Sequence, residues 1–464
     1  MAFDPLLAQI RFGVGLSPAV AGPESVVEMM ELLAGPDHAA AAHPIEPYDQ
    51  FRQRMMDARR TGKEYRRNKS APNAETLRKA FNHVKRDARR AQGIWLMQAL
   101  ARRSTTRDGF RERLVTFWTD HFTVIGKGGV MRRVAMPVSE TYVRPFLTGR
   151  FGDLLVSAVT NPGMVNYLDQ QYSVGPQAPA RAQMAKGRGL NENLAREVLE
   201  LHTLGVNGPY SQKDVRELAE LLTGLGIAPN GDRLFRPDWA EPGAETVLGR
   251  SYGGDPAQMR DIHAALQDLA VHPATARHLS QKLAVHFLGD TPDPAAVSVM
   301  EQVWNDTGGN LSAVYRAMLT HPAAWAQGLT NVKLPFDFMS SALRALAAPP
   351  VPFKGKPNDT EQRIKKNFVR PLRRMGQPWE QPPGPDGWPE EDDMWITPQG
   401  VATRMEWALR VPRILVKDLP DPREFVTDAL GPNPPEPVRF AARAAESRHE
   451  GIALVLISPA FQRR

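Results

Sequence analysis

The chain has 464 residues, of which 42% are hydrophobic and 23% charged, a composition typical of a globular protein with enough length for two or three domains. It contains no cysteine, which excludes a disulfide scaffold, a thiolate zinc site, an iron–sulfur cluster and a cysteine nucleophile. The net charge of +7 is spread unevenly, because residues 51–115 carry 19 Lys or Arg against 6 Asp or Glu. The remainder of the chain is therefore acidic overall.

The first residues show neither the basic start nor the apolar core of a secretion signal, and no stretch reaches the roughly 18 apolar residues of a membrane span. We therefore expect a cytoplasmic protein without a membrane span. The sequence predicts three regions: an N-terminal helical segment 1–110, a central helical core 111–347 that carries the candidate site, and a proline-rich portion 348–464 that packs on the core.

Residues 51–105 predict long, arginine-rich helices. A solvated helical face or hairpin is the favoured interpretation, and an anionic surface or partner is the alternative. Nucleic acid is not expected as a partner, because the segment offers too few aromatic residues for interleaved base stacking. Its aromatic residues in that stretch are Phe51, Tyr65, Phe81 and Trp95.

After Arg111 the apolar residues recur at helical spacing, as in Leu114, Phe117, Trp118 and His121 at i, i+3, i+4 and i+7. The same periodicity predicts further helices over 153–160, 163–168, 192–204, 213–223, 257–269, 274–288, 295–305, 311–319, 334–347 and 403–410. We therefore predict a mostly α, multi-helical fold.

Strand signals are confined to residues 233–252, where 234–235 and 246–248 could pair as one short β-hairpin. Proline-rich stretches follow in the last third of the chain. One of them, residues 376–389 with two tryptophans, predicts an ordered strap around the body or a cover over a pocket.

The densest group of polar residues lies on the helix predicted over 192–204. Asn193, Arg196, Glu197 and Glu200 share one helical face, at i, i+3, i+4 and i+7. Paired carboxylates beside an arginine could bind a divalent metal or tune one acid against the other for proton transfer. A structural ion network is the alternative, because Arg196 precedes Glu200 by four residues.

His202 at the end of this helix and His121 on the preceding apolar stripe are the candidate proton carriers, although a histidine on an apolar face is more often a hydrogen-bonded core residue. The predicted catalytic residues are therefore Glu197, Glu200, His202 and His121, and the candidate metal ligands are Glu192, Glu197, Glu200 and His121.

A loop containing glycines and cations enters the same helix, and backbone N–H groups at a helix start can hold an anion. This arrangement predicts substrate or anion binding by Arg188, Asn191, Asn193 and Arg196, with a plain ordered loop as the alternative. The P-loop, Rossmann, G-x-S-x-G and H-E-x-x-H patterns do not occur in the chain.

Several blocks together resemble the bacterial family called domain of unknown function 1800. They are FWTDHFTV at 117–124, NYLDQQYSVGP at 166–176, GRGLNENLAREVLELHTLGVNGPYSQKDV at 187–215, TVLGRSYGG at 246–254, HPATARHLSQKLAVHFLGD at 272–290, GQPWEQPPGPDGWP at 376–389 and SPAFQRR at 458–464. The resemblance covers nearly the whole chain. It implies a helical protein with a periplasmic or envelope role, as an alternative to the cytoplasm, and a sulfatase-like partner protein encoded nearby.

The chain departs from the family pattern at two places. Thr119 stands where relatives often have a second histidine, and Ala240-Glu241 stands where they often have a histidine–acid pair. The positions that match are His121, Asn191, Glu192, Asn193, Arg196, Glu197, Glu200 and His202. We predict a hydrolase-like enzyme with an anionic or carbohydrate-linked substrate, and a non-catalytic scaffold or binding module as the alternative.

Overall fold

The computed structural model describes residues 3–183, 189–350 and 356–464. It confirms a mostly α protein. The α-helices are α1 (Pro5–Ile10), α2 (Val26–Ala34), α3 (His38–Ala42), α4 (Tyr48–Arg67), α5 (Ala74–Thr105), α6 (Gly109–His121), α7 (Ala135–Tyr142), α8 (Phe151–Thr160), α9 (Pro162–Tyr167), α10 (Asn193–Glu197), α11 (Gln212–Leu221), α12 (Met259–Ala270), α13 (Pro273–Leu288), α14 (Pro294–Thr307), α15 (Leu311–Thr320), α16 (Pro335–Ala345), α17 (Pro357–Ile364), α18 (Arg370–Arg374), α19 (Pro398–Arg410), α20 (Pro412–Leu415), α21 (Pro422–Leu430), α22 (Glu436–Ala444), α23 (Arg448–Ile457) and α24 (Pro459–Gln462).

Shorter helical turns of other types connect these helices. Two are π-helical, Val198–His202 and Lys365–Val369. The 3₁₀ turns are Met131–Arg133, Arg144–Phe146, Gln170–Tyr172, Arg181–Gln183, Pro322–Trp325 and Asp392–Trp395.

The sequence predicts helix starts at Asn161-Pro162, His272-Pro273, His321-Pro322 and Ser458-Pro459, and at each of these dipeptides a helical turn begins at the proline. The side chains of Asn161, His272, His321 and Ser458 each accept a backbone N–H of the first turn. Proline suits the first helical position, because its fixed φ is helical and its missing N–H would have no intrahelical partner there. These repeated dipeptides are therefore helix starts.

The predicted pairing of 234–235 with 246–248 is wrong, because each segment pairs with a nearer neighbour. Strand β1 (Leu225–Ile227) pairs antiparallel with β2 (Arg233–Phe235), and β3 (Gly243–Val247) pairs with β4 (Arg250–Gly254). Positive φ angles at Gly231 in one connection and at Gly249 in the other allow tight turns. Local turn chemistry therefore produces two hairpins where the sequence pattern predicted one.

The centre of the molecule is built by α5, α6, α13 and α16. In α16 every residue from Pro335 to Ala345 is buried, and α5 packs along it. The main hydrophobic cluster contains buried side chains from Leu7 to Phe461, so all three predicted regions contribute to it. Polar side chains on α6 and α13 are consequently enclosed by apolar packing.

The strap, residues 376–389, crosses the surface of this centre. At its start the Gln377 side chain accepts the backbone N–H of Phe336, and Glu380 accepts Gln92 Nε2 at 2.6 Å. Near its end the backbone N–H of Trp388 donates to Asp120. These contacts lay the strap over an apolar cavity of about 140 Å³.

Within the three described ranges, no helix combines the length and the hydrophobicity that a membrane crossing requires.

Candidate functional site

The helix predicted over 192–204 is interrupted. It begins as α10 and changes to π-helical turns over Val198–His202, where the Leu204 N–H donates to the carbonyl of Leu199 at 3.0 Å. Such π segments occur frequently at functional sites, because they re-aim side chains relative to a regular helix. Here His202 is buried against Phe122, with ring centroids 5.0 Å apart.

The charged face that runs from α10 into this π segment forms a ladder of ion pairs at the surface. Arg196 Nη1 lies 3.1 Å from Glu200 Oε1, and Arg196 Nη2 lies 3.3 Å from Glu192 Oε2. Gln212 on α11 joins the ladder by donating to Glu192 at 2.9 Å. The Arg196 side chain is 40% exposed, so this group has the geometry of the structural ion network.

The other residues predicted on this helix are dispersed. Asn193 is exposed, and Asn191 donates to the Leu168 carbonyl at 2.8 Å while accepting the Asn193 N–H. Glu197 is half-buried, and burial, with the nearby negative charges of Glu200 and Asp386, raises its pKa. Arg188 lies outside the described residues.

The predicted metal ligands do not converge on one point. Among residues 3–183, 189–350 and 356–464, no group of three His, Asp or Glu side chains is arranged to hold a metal ion. Glu192 and Glu200 are paired with Arg196. His121 has both ring nitrogens engaged elsewhere, so the expected set of Glu192, Glu197, Glu200 and His121 is not gathered into a metal site.

His121 and His202 do come together, with ring centroids 5.7 Å apart. His121 Nε2 lies 3.3 Å from the His202 carbonyl oxygen, and His121 Nδ1 lies 3.4 Å from Lys282 Nζ. A carbonyl accepts and an ammonium donates, so His121 is neutral with its proton on Nε2. Burial, and next the Lys282 charge, lower the pKa of His121 well below its usual value.

The remaining histidines around Lys282 are also neutral. Burial lowers the pKa of His202 to about 3, and the Nδ1 atom of its ring has no hydrogen-bond partner in the described structure. His278 is half-buried, with Nε2 3.3 Å from the Leu201 carbonyl, and burial lowers its pKa to about 4. We call Asp120, His121, His202, His278 and Lys282 the Lys282 cluster.

Lys282 connects this cluster to an open cavity of about 540 Å³. Burial lowers the pKa of Lys282, although the negative charges of Asp120, Glu390 and Asp386 act in the opposite direction. The cavity is lined by one cation and four carboxylates, with Trp388 on its border. The charged lining residues are Lys282, Asp386, Glu390, Glu391 and Asp393.

Asp120 lies at the end of α6, behind the strap. Its two carboxylate oxygens accept the Trp388 N–H at 3.0 and 3.1 Å. Burial raises the pKa of Asp120 to about 8 in spite of this bond. Trp388 lines both the open cavity and the apolar cavity beneath the strap, so the strap separates the two.

A second chain of buried polar groups begins at Glu390 and runs inward. Glu390 Oε1 lies 2.6 Å from His286 Nδ1, and His286 Nε2 lies 2.9 Å from Arg113 Nη2. Arg113 donates to Nε2, so His286 has no place for a second proton, and burial lowers its pKa to about 4. Asp337 ends the chain, where it pairs with Arg103, Arg113 and Arg464.

Sequence reasoning missed Asp120, Lys282, Asp386 and Glu390. One signal was available for Lys282, because His278, Lys282 and His286 recur at i, i+4 and i+8 along helix α13. Asp386 in the strap and Glu390 directly after it had no comparable signal, since no local periodicity places a proline-rich segment against a particular helix.

The comparisons with known proteins bear on the chain as a whole. A family model described as "Protein of unknown function (DUF1800)" matches residues 10–463. The chain belongs to this family. A search of curated proteins and a search of solved structures each returned no match.

At two positions where this chain departs from the pattern of its family, the side chain has a hydrogen-bond partner. Thr119 Oγ1 lies 2.5 Å from Ser139 Oγ, between α6 and α7. Glu241 is buried and accepts the Gln177 N–H at 2.8 Å. Both side chains therefore brace the fold at their positions.

Proposed function

We propose that this protein is an acid–base enzyme that hydrolyses a carbohydrate-linked substrate in the open cavity bordered by Lys282, Asp386 and Glu390. The observation that carries the proposal is the position of Lys282, whose amine contacts buried His121 on one side and the cavity on the other. A buried ionisable group with a perturbed pKa beside a cavity is a typical feature of functional sites.

The charges of the cavity favour an uncharged substrate over an anionic one. Its lining carries four carboxylates and a single lysine, so an anion would be repelled on entry. Carboxylates accept hydrogen bonds from sugar hydroxyl groups, and Trp388 offers an apolar edge with a polar tip. Of the two substrate classes expected from the sequence, the carbohydrate-linked class therefore fits better.

Lys282 and Glu390 have different roles in the reaction, because their pKa values differ. The Lys282 ammonium donates a proton to the leaving oxygen as the bond between that oxygen and the reacting carbon breaks. Glu390 has a pKa lowered to about 2 by His286 and Arg464 against the effect of burial, so its negative charge stabilises the positive charge at that carbon. Water then attacks the carbon, and its proton returns to Lys282.

The two predicted histidines have positioning roles in this scheme. His121 accepts a hydrogen bond from Lys282 and donates to the His202 carbonyl, which fixes the direction of the amine. Asp120 holds Trp388, and with it the strap that carries Asp386. Of the two predicted catalytic glutamates, Glu197 and Glu200, it is Glu197 whose pKa is raised in part by the charge of Asp386, a residue of the cavity lining.

The first test measures turnover of a panel of 4-nitrophenyl glycosides by the wild type and by Lys282→Met. We expect hydrolysis of at least one glycoside, with a loss of 100-fold or more in the variant, which corresponds to about 2.7 kcal/mol of transition-state stabilisation. Lys417→Met is the matched control, because Lys417 is exposed and does not line the cavity. Equal turnover by Lys282→Met and Lys417→Met would contradict the proposal.

A second test needs no substrate. Competitive acetylation of the folded protein, read by mass spectrometry across pH, reports the pKa of each lysine. We expect Lys282 to become reactive at lower pH than Lys417, and we expect His121→Phe to change the labelling profile of Lys282 alone. If the acetylation of Lys282 depended on pH as that of exposed lysines does, the acid–base role of Lys282 would be contradicted.

The alternative function is a non-catalytic scaffold that acts with a sulfatase-like partner. One observation favours it. Arg196 and Glu200 of the predicted polar face form ion pairs together with Glu192, and Arg196 also donates to Gln212 of α11, so these side chains brace α10 against α11. The scaffold predicts co-elution with a sulfatase-like protein encoded nearby, unaffected by Lys282→Met. Glycoside turnover that depends on Lys282 would decide for the enzyme.

A further inference from the structure

The most highly charged surface of the molecule is an arm formed by the ends of α4 and α5, which we define as residues 59–90. Between positions 63 and 87 no side chain is buried. The two helices contact one another there through Tyr65 and Phe81, whose rings stack with centroids 6.4 Å apart. At about 1.5 Å per residue, the α5 side of the arm spans roughly 25 Å.

Most of the Lys and Arg side chains of the arm form no ion pair with a carboxylate of the described residues. The arm contains 12 Lys or Arg against 3 Asp or Glu. Of these 12 Lys and Arg side chains, only Arg60, Lys79 and Arg90 form ion pairs within the described parts of the chain. The nine remaining cations are Arg59, Lys63, Arg66, Arg67, Lys69, Arg78, Lys85, Arg86 and Arg89.

These cations are concentrated on one side of each helix. At 100° per residue, the basic positions 59, 60, 63, 66 and 67 of α4 fall within an arc of about 120°. Those of α5, at 78, 79, 85, 86, 89 and 90, fall within about 140°. Each helix therefore presents a continuous basic face along the arm.

A cavity of about 360 Å³ opens at the base of the arm, between α5 and the helical segment 360–373. Gly93, Ile94, Ile364 and Val369 give it an apolar floor. Ile94 is 49% exposed, and a Cβ added at Gly93 would meet only Ile364, no nearer than 3.6 Å, so the floor is open. The charged residues of the lining are four cations and one carboxylate: Arg89, Arg90, Lys365, Arg373 and Glu361.

We propose that the arm is a docking surface for anionic membrane lipid, with headgroups on its basic faces and one acyl chain in the cavity at its base. The two features are continuous, because Arg89 and Arg90 belong to the α5 basic face and to the cavity. Clustered Lys and Arg attract anionic lipid surfaces, and an apolar cavity with a cationic border complements an anionic amphiphile.

The same features disfavour a polynucleotide. Base stacking needs exposed aromatic rings, and the arm's two aromatic side chains are stacked on each other. An apolar cavity at the base of the arm has no counterpart in a phosphate backbone. Duplex DNA is accordingly the competing ligand of the test.

The experiment is co-sedimentation of the full chain with vesicles of phosphatidylglycerol and phosphatidylcholine in equal parts. We expect binding that falls at least tenfold when the vesicles are phosphatidylcholine alone, or when salt rises from about 0.05 to 0.5 M. The combined charge reversal Arg66→Glu, Arg67→Glu, Lys69→Glu and Arg78→Glu should reduce binding at least tenfold. Arg316→Glu, Arg413→Glu, Lys417→Glu and Arg443→Glu combined reverse four exposed cations outside the arm; this variant is the matched control and should bind as the wild type does.

The cavity is tested separately with a fluorescent monoacyl phosphatidylglycerol. Gly93→Phe should fill the cavity and weaken binding of this probe at least fivefold, while the thermal midpoint and the binding of vesicles by the arm are retained in part. Unchanged probe binding would overturn the assignment of the acyl chain to the cavity. Equal binding to neutral vesicles, or tight retention on duplex DNA without vesicle binding, would overturn the lipid proposal itself.

Discussion

Both carboxylate oxygens of Asp120 accept the backbone N–H of Trp388, at 3.0 and 3.1 Å, so the end of α6 holds the end of the strap. Gly387, the residue before, approaches so closely that a Cβ there would lie 2.5 Å from Asp120 Oδ2. The protonation of Asp120 is thereby coupled to the conformation of the strap at the boundary of the two cavities.

Asp120 makes the stability of the protein depend on pH. Its pKa is raised by burial to about 8, whereas an unfolded aspartate loses its proton near pH 4. The folded state therefore binds the extra proton between these values, and the free energy of unfolding falls as pH rises from about 4 to 8. The stabilisation is complete below pH 4.

Asp120→Asn removes this dependence, because the amide has no proton to lose and its oxygen can still accept the Trp388 N–H. Allowing for the partial exposure of Asp120, we expect the variant to gain roughly 1–2 kcal/mol over the wild type between pH 5 and pH 9. Urea unfolding across that range measures the gain, and Asp393→Asn, at an exposed carboxylate, is the control. Parallel curves for Asp120→Asn and the wild type would show that Asp120 is ionised in the folded protein.

Gly387→Ala should displace the strap. Its φ of +83° is costly for a side chain, and the added Cβ would collide with Asp120. We expect a loss of about 1–3 kcal/mol and faster proteolytic cleavage within residues 376–389. Gly254→Ala, where a Cβ meets nothing within 4 Å, should leave both quantities unchanged. Equal cleavage rates in the two variants would mean that the strap tolerates the displacement.

Asp337→Ala is expected to be among the most damaging substitutions. Asp337 is fully enclosed and pairs with Arg103, Arg113 and Arg464, which would be left as buried cations without a counter-charge. Removing one partner of a buried ion pair costs about 3–5 kcal/mol. Guanidinium unfolding of the variant measures the loss, and Glu406→Ala, which breaks the half-exposed pair with Arg374, should cost less than about 1 kcal/mol. Similar losses in the two variants would contradict the central role of Asp337.

Arg196→Ala should have little effect on stability. The Arg196 side chain is 40% exposed, and its partners Glu192 and Glu200 lie one turn away on the same surface. Pairs of this kind contribute roughly 0.3–0.5 kcal/mol each. Thermal unfolding at low and high salt measures the effect, and Arg102→Ala provides the contrast, since Arg102 forms a buried pair with Glu140. A loss above about 2 kcal/mol in Arg196→Ala would show that the ladder contributes more to stability than surface ion pairs do.

The predicted catalytic face illustrates how far periodicity reaches. It correctly placed polar residues of 192–200 on a helix, and the ladder of Arg196 with Glu192 and Glu200 follows from i, i+4 spacing alone. Periodicity could not predict the π-helical turns over Val198–His202, whose last residue packs its ring against Phe122 directly after α6. His202 consequently meets His121 and Phe122 through a local backbone change that residue spacing does not encode.

The sequence by itself determined the helical class and the concentration of positive charge over 51–115. It also determined the helix starts at Asn161, His272, His321 and Ser458. Periodicity, net charge and local hydrogen bonding are properties of neighbouring residues, so they can be read along the chain. Only the tertiary structure decided which ionisable groups share an enclosure. Lys282, Asp120 and Glu390 come from α13, α6 and the residue after the strap, and their proton affinities are set by burial and by one another. Desolvation depends on everything packed around a group, so no local pattern in the chain could specify it.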